Sequence, residues 1–203
     1  RILNVYNLGQ KLNHRLYNIS LGKKFTNGFI RNNYDVLEIS DRDFIKQNRG
    51  FSISNTYIKF QQYLLETFKN YKPDLIIFGH SNNISIETFQ SFKNINKNLI
   101  ISHWNEDPIM PGLEDTKFNI KKISSFKSVV DHTFITTDPS VFKKHNNQLK
   151  KLHYIFIPVD RNIECYDVYN LNPENDVFYA MSHGVNRASL KKGKSDSRSF
   201  FLD

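Results

Sequence analysis

The segment "NLIISHWNEDP" (98–108) joins a short apolar run to a dense group of polar side chains. The run over 98–104 predicts a buried strand, because it is apolar and rich in β-branched residues. An imidazole, an indole, an amide, two carboxylates and a proline then follow within residues 103–108. The segment is therefore either a polar loop or a site at the end of a core strand.

Five other runs also predict strands, namely 2–8, 34–40, 74–80, 131–137 and 152–158. Helices are predicted between these strands over about 12–29, 57–71, 86–93 and 114–127, and a short helix is predicted to begin at Pro139. Strands that alternate with helices predict βαβ units and a parallel sheet with helices on both faces. We therefore expect an α/β, Rossmann-like domain over residues 1–160. Gly22 and Gly28 weaken the first helix but allow close packing.

The character of the sequence changes after Pro158. Residues 161–175 are polar and have little periodicity, which predicts a linker. The stretch "DVFYAMSHG" (176–184) then predicts a new strand with a glycine turn. Because one βα unit cannot bury its own core, we expect residues 176–203 to be the beginning of a second, truncated α/β domain.

Charge and cysteine content indicate the cellular location and the binding partners to expect. The net charge is +8, and lysines or arginines cluster in 117–127 and 187–198. Such clusters favour anionic partners, including an anionic membrane surface, although a solvated lysine-rich surface is the alternative. We expect no nucleic acid, because the aromatic residues lie in apolar runs and do not alternate with the lysines. A single cysteine, Cys165, and no membrane-spanning run predict a cytoplasmic protein. With the basic clusters, we expect peripheral contact with the inner face of the membrane.

Polar residues follow nearly every predicted strand. The carboxyl ends of parallel strands meet at one rim, where open α/β sheets bind their ligands. The sequence therefore predicts one crevice built from Asn7–Gly9, Ser40–Asp43, His80–Asn83, His103–Pro108 and Thr136–Asp138. The chain has no glycine-rich dinucleotide fingerprint, no phosphate-binding P-loop and no serine nucleophile elbow.

Two groups of candidate residues have competing interpretations. The "DRD" at 41–43 matches a metal-binding pattern, but Asp is a common turn and capping residue, so we predict a turn or helix cap and no metal site. His80 and His103 both follow apolar runs and could meet at the crevice as a base or a phosphate contact.

The segment "HWNEDP" has a structural and a functional interpretation. In the first, Asp107 caps a turn, Pro108 fixes the backbone and Trp104 packs on the rim. In the second, a carboxylate accepts the proton of a substrate hydroxyl and the indole of Trp104 stacks on a sugar ring. The position of the segment at a predicted strand end keeps both interpretations open.

The order of four motifs resembles the N-terminal domain of two-domain GT-B glycosyltransferases, particularly the CgeB-like, spore-coat glycosyltransferase-like family. The motifs are "PDLIIFGHSNN", "LIISHWNEDP", "DHTFITTDPSVFKKH" and "YIFIPVD". In that family the exit of the fourth strand carries a tryptophan followed by acids and proline. "DVFYAMSHGVNRASL" is similar to the start of the second domain, although "MSHG" replaces the usual phenylalanine-glycine turn.

The resemblance implies an enzyme with two facing Rossmann-like domains, which transfers a sugar from a nucleotide-sugar donor to an acceptor hydroxyl without a metal or other cofactor. The first domain would bind a carbohydrate or other hydroxyl acceptor, and the second would bind the nucleotide sugar. Asp107 or Glu106 would be the base, with His103 in reserve. The implied substrate-binding residues are Gly9, His80, Asn82, Trp104 and Asn105, with His183, Gly184 and Arg187 near the donor phosphate. The chain as given would then lack full activity.

A non-catalytic Rossmann-like module that binds a sugar or a nucleotide is the alternative. Weak donor binding would agree with both interpretations, and only transfer by the full-length protein separates them. A basic nucleic-acid-associated protein would instead bind DNA or RNA tightly and in a salt-dependent way.

Overall fold

A computed structural model of the chain describes residues 1–9, 19–50, 53–81, 83–109, 114–143 and 151–165. Six strands form one parallel sheet in the order β2-β1-β3-β4-β5-β6. The strands are β1 (Ile2–Tyr6), β2 (Val36–Ile39), β3 (Leu75–Gly79), β4 (Ile100–Asn105), β5 (His132–Ile135) and β6 (Leu152–Tyr154). The helices are α1 (Leu21–Arg31), α2 (Asp41–Gln47), α3 (Ile53–Tyr71), α4 (Ile86–Ile95), α5 (Glu114–Ser125) and α6 (Pro139–Lys143).

The predicted α/β, Rossmann-like parallel sheet is confirmed, since each of the six predicted runs contains a strand. Two details differ from the prediction. The fourth strand continues to Asn105, so half of "HWNEDP" lies inside the sheet. Residues 41–47 form the short helix α2, which the sequence pattern did not predict. The first part of the predicted helix over 12–29 lies outside the described residues, and its described part begins at Leu21.

The strand order creates a switch point between β1 and β3. From β1 the chain moves to β2 on one side, and it then crosses back to place β3 on the other side of β1. The connections that leave β1 and β3 therefore run in opposite directions, which opens a crevice at their carboxyl ends. Any ligand site of this domain is expected at that crevice.

One face of the sheet packs against α3 and α4. Alternate strand residues such as Leu3, Phe78 and Ile101 are fully buried there. Helix α3 contributes Phe60, Leu64 and Phe68 at helical spacing, and α4 contributes Phe89 and Phe92. Strands that are apolar on both faces are typical of a sheet covered on both sides.

The other face of the sheet packs against α1. Tyr6 and Trp104 are buried there with Leu8, and Leu21 and Phe25 of α1 pack on them. Gly22 allows this contact, since a Cβ at that position would lie 2.4 Å from the Tyr6 ring. The prediction of close packing is thus confirmed for Gly22 but wrong for Gly28, whose Cβ position is open.

Residues 160–165, which follow β6, return to α1. The Asp160 carboxylate accepts hydrogen bonds from Asn27 (2.7 Å) and Arg31 (2.6 Å), and Glu164 pairs with Lys24. Residues Arg1–Cys165 form one compact unit. Residues 166–203 lie outside the described residues, and with them most of the predicted linker over 161–175 and the predicted second domain.

Within the described ranges, every helix is too short or too polar to cross a lipid bilayer.

Candidate functional site

The centre of the candidate site is Glu106, which lies immediately after β4 at the carboxyl rim. Its Oε1 accepts a hydrogen bond of 2.8 Å from the hydroxyl of Tyr6, the last residue of β1. The same oxygen contacts Nε2 of His80, which follows β3. Oδ1 of Asp107 lies 3.8 Å from that Nε2 atom. The ends of three strands thus bring a phenol, an imidazole and two carboxylates together at the switch point.

His80 has an unusual backbone conformation. Its φ angle is 48°, in the left-handed region, which costs a residue with a side chain about 1–2 kcal/mol. The guanidinium of Arg42 in α2 lies at hydrogen-bond distance (3.4 Å) from the His80 carbonyl oxygen. Residues held in such conformations cluster at functional sites. The turn at His80 directs its side chain back toward the exit of β4, where Glu106 meets it.

The backbone beyond β4 is fixed by side chains on either side of it. Asn105 donates to the Asp107 carbonyl (3.0 Å), and Thr136 donates to the Glu106 carbonyl (2.9 Å). The amide of Ile109 donates to the Thr137 hydroxyl (3.0 Å). The Asp107 carboxylate accepts no hydrogen bond from the described residues, and its side chain is 40% exposed. The backbone of Asp107 is therefore fixed, while its carboxylate is partly exposed.

A second carboxylate, Asp41, is buried at the start of α2. It accepts hydrogen bonds from Ser81 (3.0 Å) and Asn83 (2.7 Å), which fixes the loop after β3. Burial raises the pKa of Asp41, and these hydrogen bonds oppose that rise. Asp41 and Asp43 both lie in the first turn of α2, next to the N-cap residue Ser40. Among the described residues, no group of three or more His, Cys, Asp or Glu side chains is placed to hold a metal ion.

The amino group of Lys122 in α5 lies within electrostatic reach of the rim carboxylates. Burial lowers the pKa of Lys122, while the negative charges of Asp107 and Glu106 act in the opposite direction. In the sequence Lys122 is one member of a lysine cluster, and helical phase is the signal that separates it from its exposed neighbours Lys117 and Lys121. Tyr6 and Arg42 were also missed, because nothing in a single sequence pairs residues so far apart.

His103 does not open onto the crevice. The strand places its ring in the core beside Phe78 and Phe126, with 1% of the residue exposed. Neither ring nitrogen has a partner among the described residues. Burial lowers the pKa of His103 to about 3, with the positive charge of Lys122 acting in the same direction. The imidazole is therefore neutral at physiological pH.

Trp104 points to the opposite face of the sheet and is only 1% exposed. Its ring packs at 4.7 Å from Phe25 and at 5.8 Å from Tyr6, measured between centroids. No open indole face is therefore left for a sugar ring, and the observed packing matches the structural interpretation of this residue.

The other predicted site residues separate into two groups. Gly9 lies at the exit of β1 with a φ of 68°, a conformation that glycine adopts without strain. Asn105 is buried and holds the loop after β4. Four of the predicted residues lie outside the described residues, namely Asn82, His183, Gly184 and Arg187.

Comparisons of the chain with protein-family models, with curated proteins and with solved structures find no match. The fold and the rim geometry alone define the class: a Rossmann-like α/β domain with a polar, ionisable cluster at its switch point. A site of this composition offers proton acceptors, a neutral phenol donor and a partly buried ammonium group to a ligand in the crevice.

Proposed function

We propose that this domain is the acceptor-binding half of a glycosyltransferase that moves a sugar from a nucleotide-sugar donor to a hydroxyl group, without a metal ion. The contact of His80 and Tyr6 with Glu106, beside the open carboxylate of Asp107, is the observation that carries the proposal. It lies at the switch point, where open α/β sheets bind ligands. The order of sequence motifs that resembles the CgeB-like family supplies the reaction class.

In the proposed reaction Asp107 is the general base. The acceptor oxygen forms a bond to the anomeric carbon, while the bond from that carbon to the nucleotide phosphate breaks. The hydroxyl proton passes to the Asp107 carboxylate, and the nucleotide leaves with the bonding electrons. Glu106 is less suited to this role because Tyr6 and His80 already occupy its Oε1. His103 is less suited because its ring is buried.

The donor side of the proposal rests on His183, Gly184 and Arg187, where basic and backbone groups would neutralise the leaving phosphate. We also propose a cytoplasmic location with peripheral contact to an anionic membrane. The exposed side chains of Lys117, Phe118 and Lys121 on α5 support that contact, because an apolar residue between lysines suits a membrane surface.

A transfer assay tests the proposal. The full-length protein is incubated with a panel of nucleotide sugars and glycoside acceptors, and release of the nucleotide is measured. Asp107→Asn should lower kcat by about 10²–10⁴-fold, the usual contribution of a general base, with little change in the melting temperature. Glu106→Gln is the paired variant and should lower kcat by a smaller factor.

Two outcomes would contradict the proposal. Binding of a nucleotide sugar without transfer or hydrolysis would favour the non-catalytic binding module. A sharply lowered melting temperature of Asp107→Asn with kcat within a few-fold would make Asp107 a structural residue.

A further inference from the structure

Glu106 determines which ring nitrogen of His80 carries the proton. An ionised carboxylate only accepts hydrogen bonds, so both groups that meet Oε1 of Glu106 must donate. The Tyr6 hydroxyl is one donor, and the Nε2–H group of His80 is the other. In a neutral imidazole with a proton on Nε2, the other nitrogen, Nδ1, carries a lone pair.

Tyr6 is a permanent donor in this arrangement. Burial, with a further contribution from the Glu106 charge, raises the pKa of the Tyr6 phenol far above its ordinary value. The phenol therefore stays protonated at neutral pH, where its hydroxyl donates to Glu106 and keeps that carboxylate in place. Glu106 in turn orients the His80 ring, which makes Tyr6 and Glu106 positioning residues.

The second nitrogen of His80, Nδ1, belongs to a partly exposed ring. Nδ1 has no hydrogen-bond partner among the described residues, and 30% of the His80 side chain is exposed. The Asp107 carboxylate, also open, lies 3.8 Å from the other nitrogen of the same ring. Among the described residues, neither Nδ1 of His80 nor the Asp107 carboxylate accepts a hydrogen bond, so two proton acceptors with different chemistry lie at the same rim.

We propose that the acceptor is a vicinal diol, as in a sugar ring, and that His80 is a specificity-determining residue. One hydroxyl gives its proton to Asp107, and the adjacent hydroxyl donates a hydrogen bond to Nδ1 of His80. A serine, a phenol or another isolated hydroxyl would leave Nδ1 without a donor. The inference rests on the proposed function for the transfer step only, because recognition of the diol needs no donor substrate.

The test measures binding without any nucleotide sugar. Methyl glucoside, galactoside and mannoside are titrated into the full-length protein beside their 3-deoxy counterparts, which have no vicinal diol, and amide shifts are followed by NMR. The parent glycosides should bind about 3–10-fold more tightly, as expected for one neutral hydrogen bond. Nitrogen chemical shifts of the imidazole should show the proton on Nε2 of His80.

Two variants and one control keep the test informative. His80→Gly removes the ring without backbone strain, because glycine adopts a φ of 48° freely, and it should abolish the preference for the diol. Glu106→Met keeps the ring but removes its anchor, so both tautomers should appear and the preference should shrink. His132→Ala, which removes a histidine outside the rim, should change neither result.

The inference is overturned if the His80 proton resides on Nδ1, if no glycoside binds saturably, or if the preference survives in His80→Gly. A retained preference for diols together with absent sugar transfer would leave the inference standing and reject the proposed function. Sugar transfer to isolated hydroxyls as efficiently as to diols would support the proposed function and reject the inference.

Discussion

The hydroxyl of Tyr6 donates a hydrogen bond of 2.8 Å to Glu106, 100 residues further along the chain. Tyr6 ends β1 and Glu106 follows β4, and these two strands are not neighbours because β3 lies between them. Tyr6 is opposite Gly79, and Gly79 is opposite Trp104. The absence of a side chain at Gly79 provides the room, since a Cβ there would lie 2.9 Å from the Trp104 carbonyl oxygen and 3.2 Å from the Tyr6 ring.

Tyr6→Phe should lower the free energy of unfolding at pH 7 by about 1–3 kcal/mol, because Glu106 loses a donor in a mostly buried position. The variant should also change the response to alkali. The folded state holds the pKa of Tyr6 far above the ordinary value of 10, so its phenol stabilises the fold below pH 10 and that stabilisation decreases as the pH rises further.

Denaturant unfolding at pH 7, 10 and 11 checks this prediction. The decrease above pH 10 should be smaller in Tyr6→Phe than in the wild type. Part of the decrease should persist in Tyr6→Phe, because burial and Asp35 raise the pKa of Tyr71 to about 12. Equal slopes in the two proteins would contradict the raised pKa of Tyr6.

Gly22→Ala and Gly28→Ala form a matched pair in one helix. An added Cβ at Gly22 would meet the Tyr6 ring at 2.4 Å, so the variant must displace that ring or α1 and should lose about 1–3 kcal/mol of stability. At Gly28 no described atom outside the adjacent residues and the helix's own backbone lies within 4 Å of an added Cβ, and replacement of a helical glycine by alanine should add about 0.5–1 kcal/mol. Thermal unfolding measures both, and equal shifts would show that the Gly22 contact is relaxed.

The fold was largely predictable because strand runs and helix faces are local patterns. The apolar runs at 74–80 and 98–104 predicted β3 and β4 to within two residues at each end. Helix α2 was missed because "DRDFIKQ" is short and has only one brief apolar stretch, so tertiary contacts of Asp41 with Ser81 and Asn83 stabilise it instead.

The rim was predictable in position but not in its contacts. Placing Glu106 and Asp107 after a central strand required only the alternation of elements. That Tyr6 would reach Glu106 depended on Gly79 and Gly22, which a sequence pattern cannot pair with a distant residue. Trp104 was ambiguous for a different reason: an indole at a strand end fits a ligand platform and a packed core equally well, and only the position of Phe25 decides between them.

Trp104→Ala should destabilise the protein by about 3–5 kcal/mol, because it opens a cavity between Tyr6, Phe25 and the sheet. Phe118→Ala is the control for loss of an aromatic ring, since Phe118 is 62% exposed, and it should change stability by less than about 0.5 kcal/mol. Calorimetry of the two variants tests the assignment. Undiminished stability of Trp104→Ala, with weaker binding of glycosides, would restore the interpretation of a stacking platform.

Asp160→Asn should lower the melting temperature at pH 6, because the carboxylate accepts hydrogen bonds from Asn27, Arg31 and the Asn162 amide. Hydrogen bonds from these groups, above all from Asn27, lower the pKa of Asp160 from 3.8 to about 2. The depressed pKa contributes stability that is complete above pH 4 and disappears as the pH falls through 2. The difference between the variant and the wild type should therefore shrink over that window.

Asp74→Asn is the control for Asp160→Asn. The side chain of Asp74 is 74% exposed. Substitutions at exposed positions usually change stability by less than about 0.5 kcal/mol, so the melting temperature of this variant should hardly change at pH 6. Similar losses in the two variants would mean that residues 160–164 are not held to α1 by the Asp160 contacts.

His103→Leu separates a buried core imidazole from a reserve catalytic base. The ring is surrounded by Phe78 and Phe126, and both of its nitrogens lack partners among the described residues, so an apolar side chain of similar size should be tolerated at pH 7. The low pKa of His103, about 3 against an ordinary 6.5, means that the unfolded chain takes up a proton below pH 6.5 and the folded chain does not.

The wild type should therefore lose up to about 1.4 kcal/mol of unfolding free energy per pH unit between pH 6 and 4 from this group, and His103→Leu should lose correspondingly less. Denaturant titrations at pH 7, 5.5 and 4.5 give the comparison. His132→Asn, at the sheet surface, should keep most of the wild-type slope, because the partly exposed His132 ring has a smaller effect. If His103→Leu instead reduced sugar transfer by more than about 10²-fold at unchanged stability, His103 would be the base and Asp107 would not.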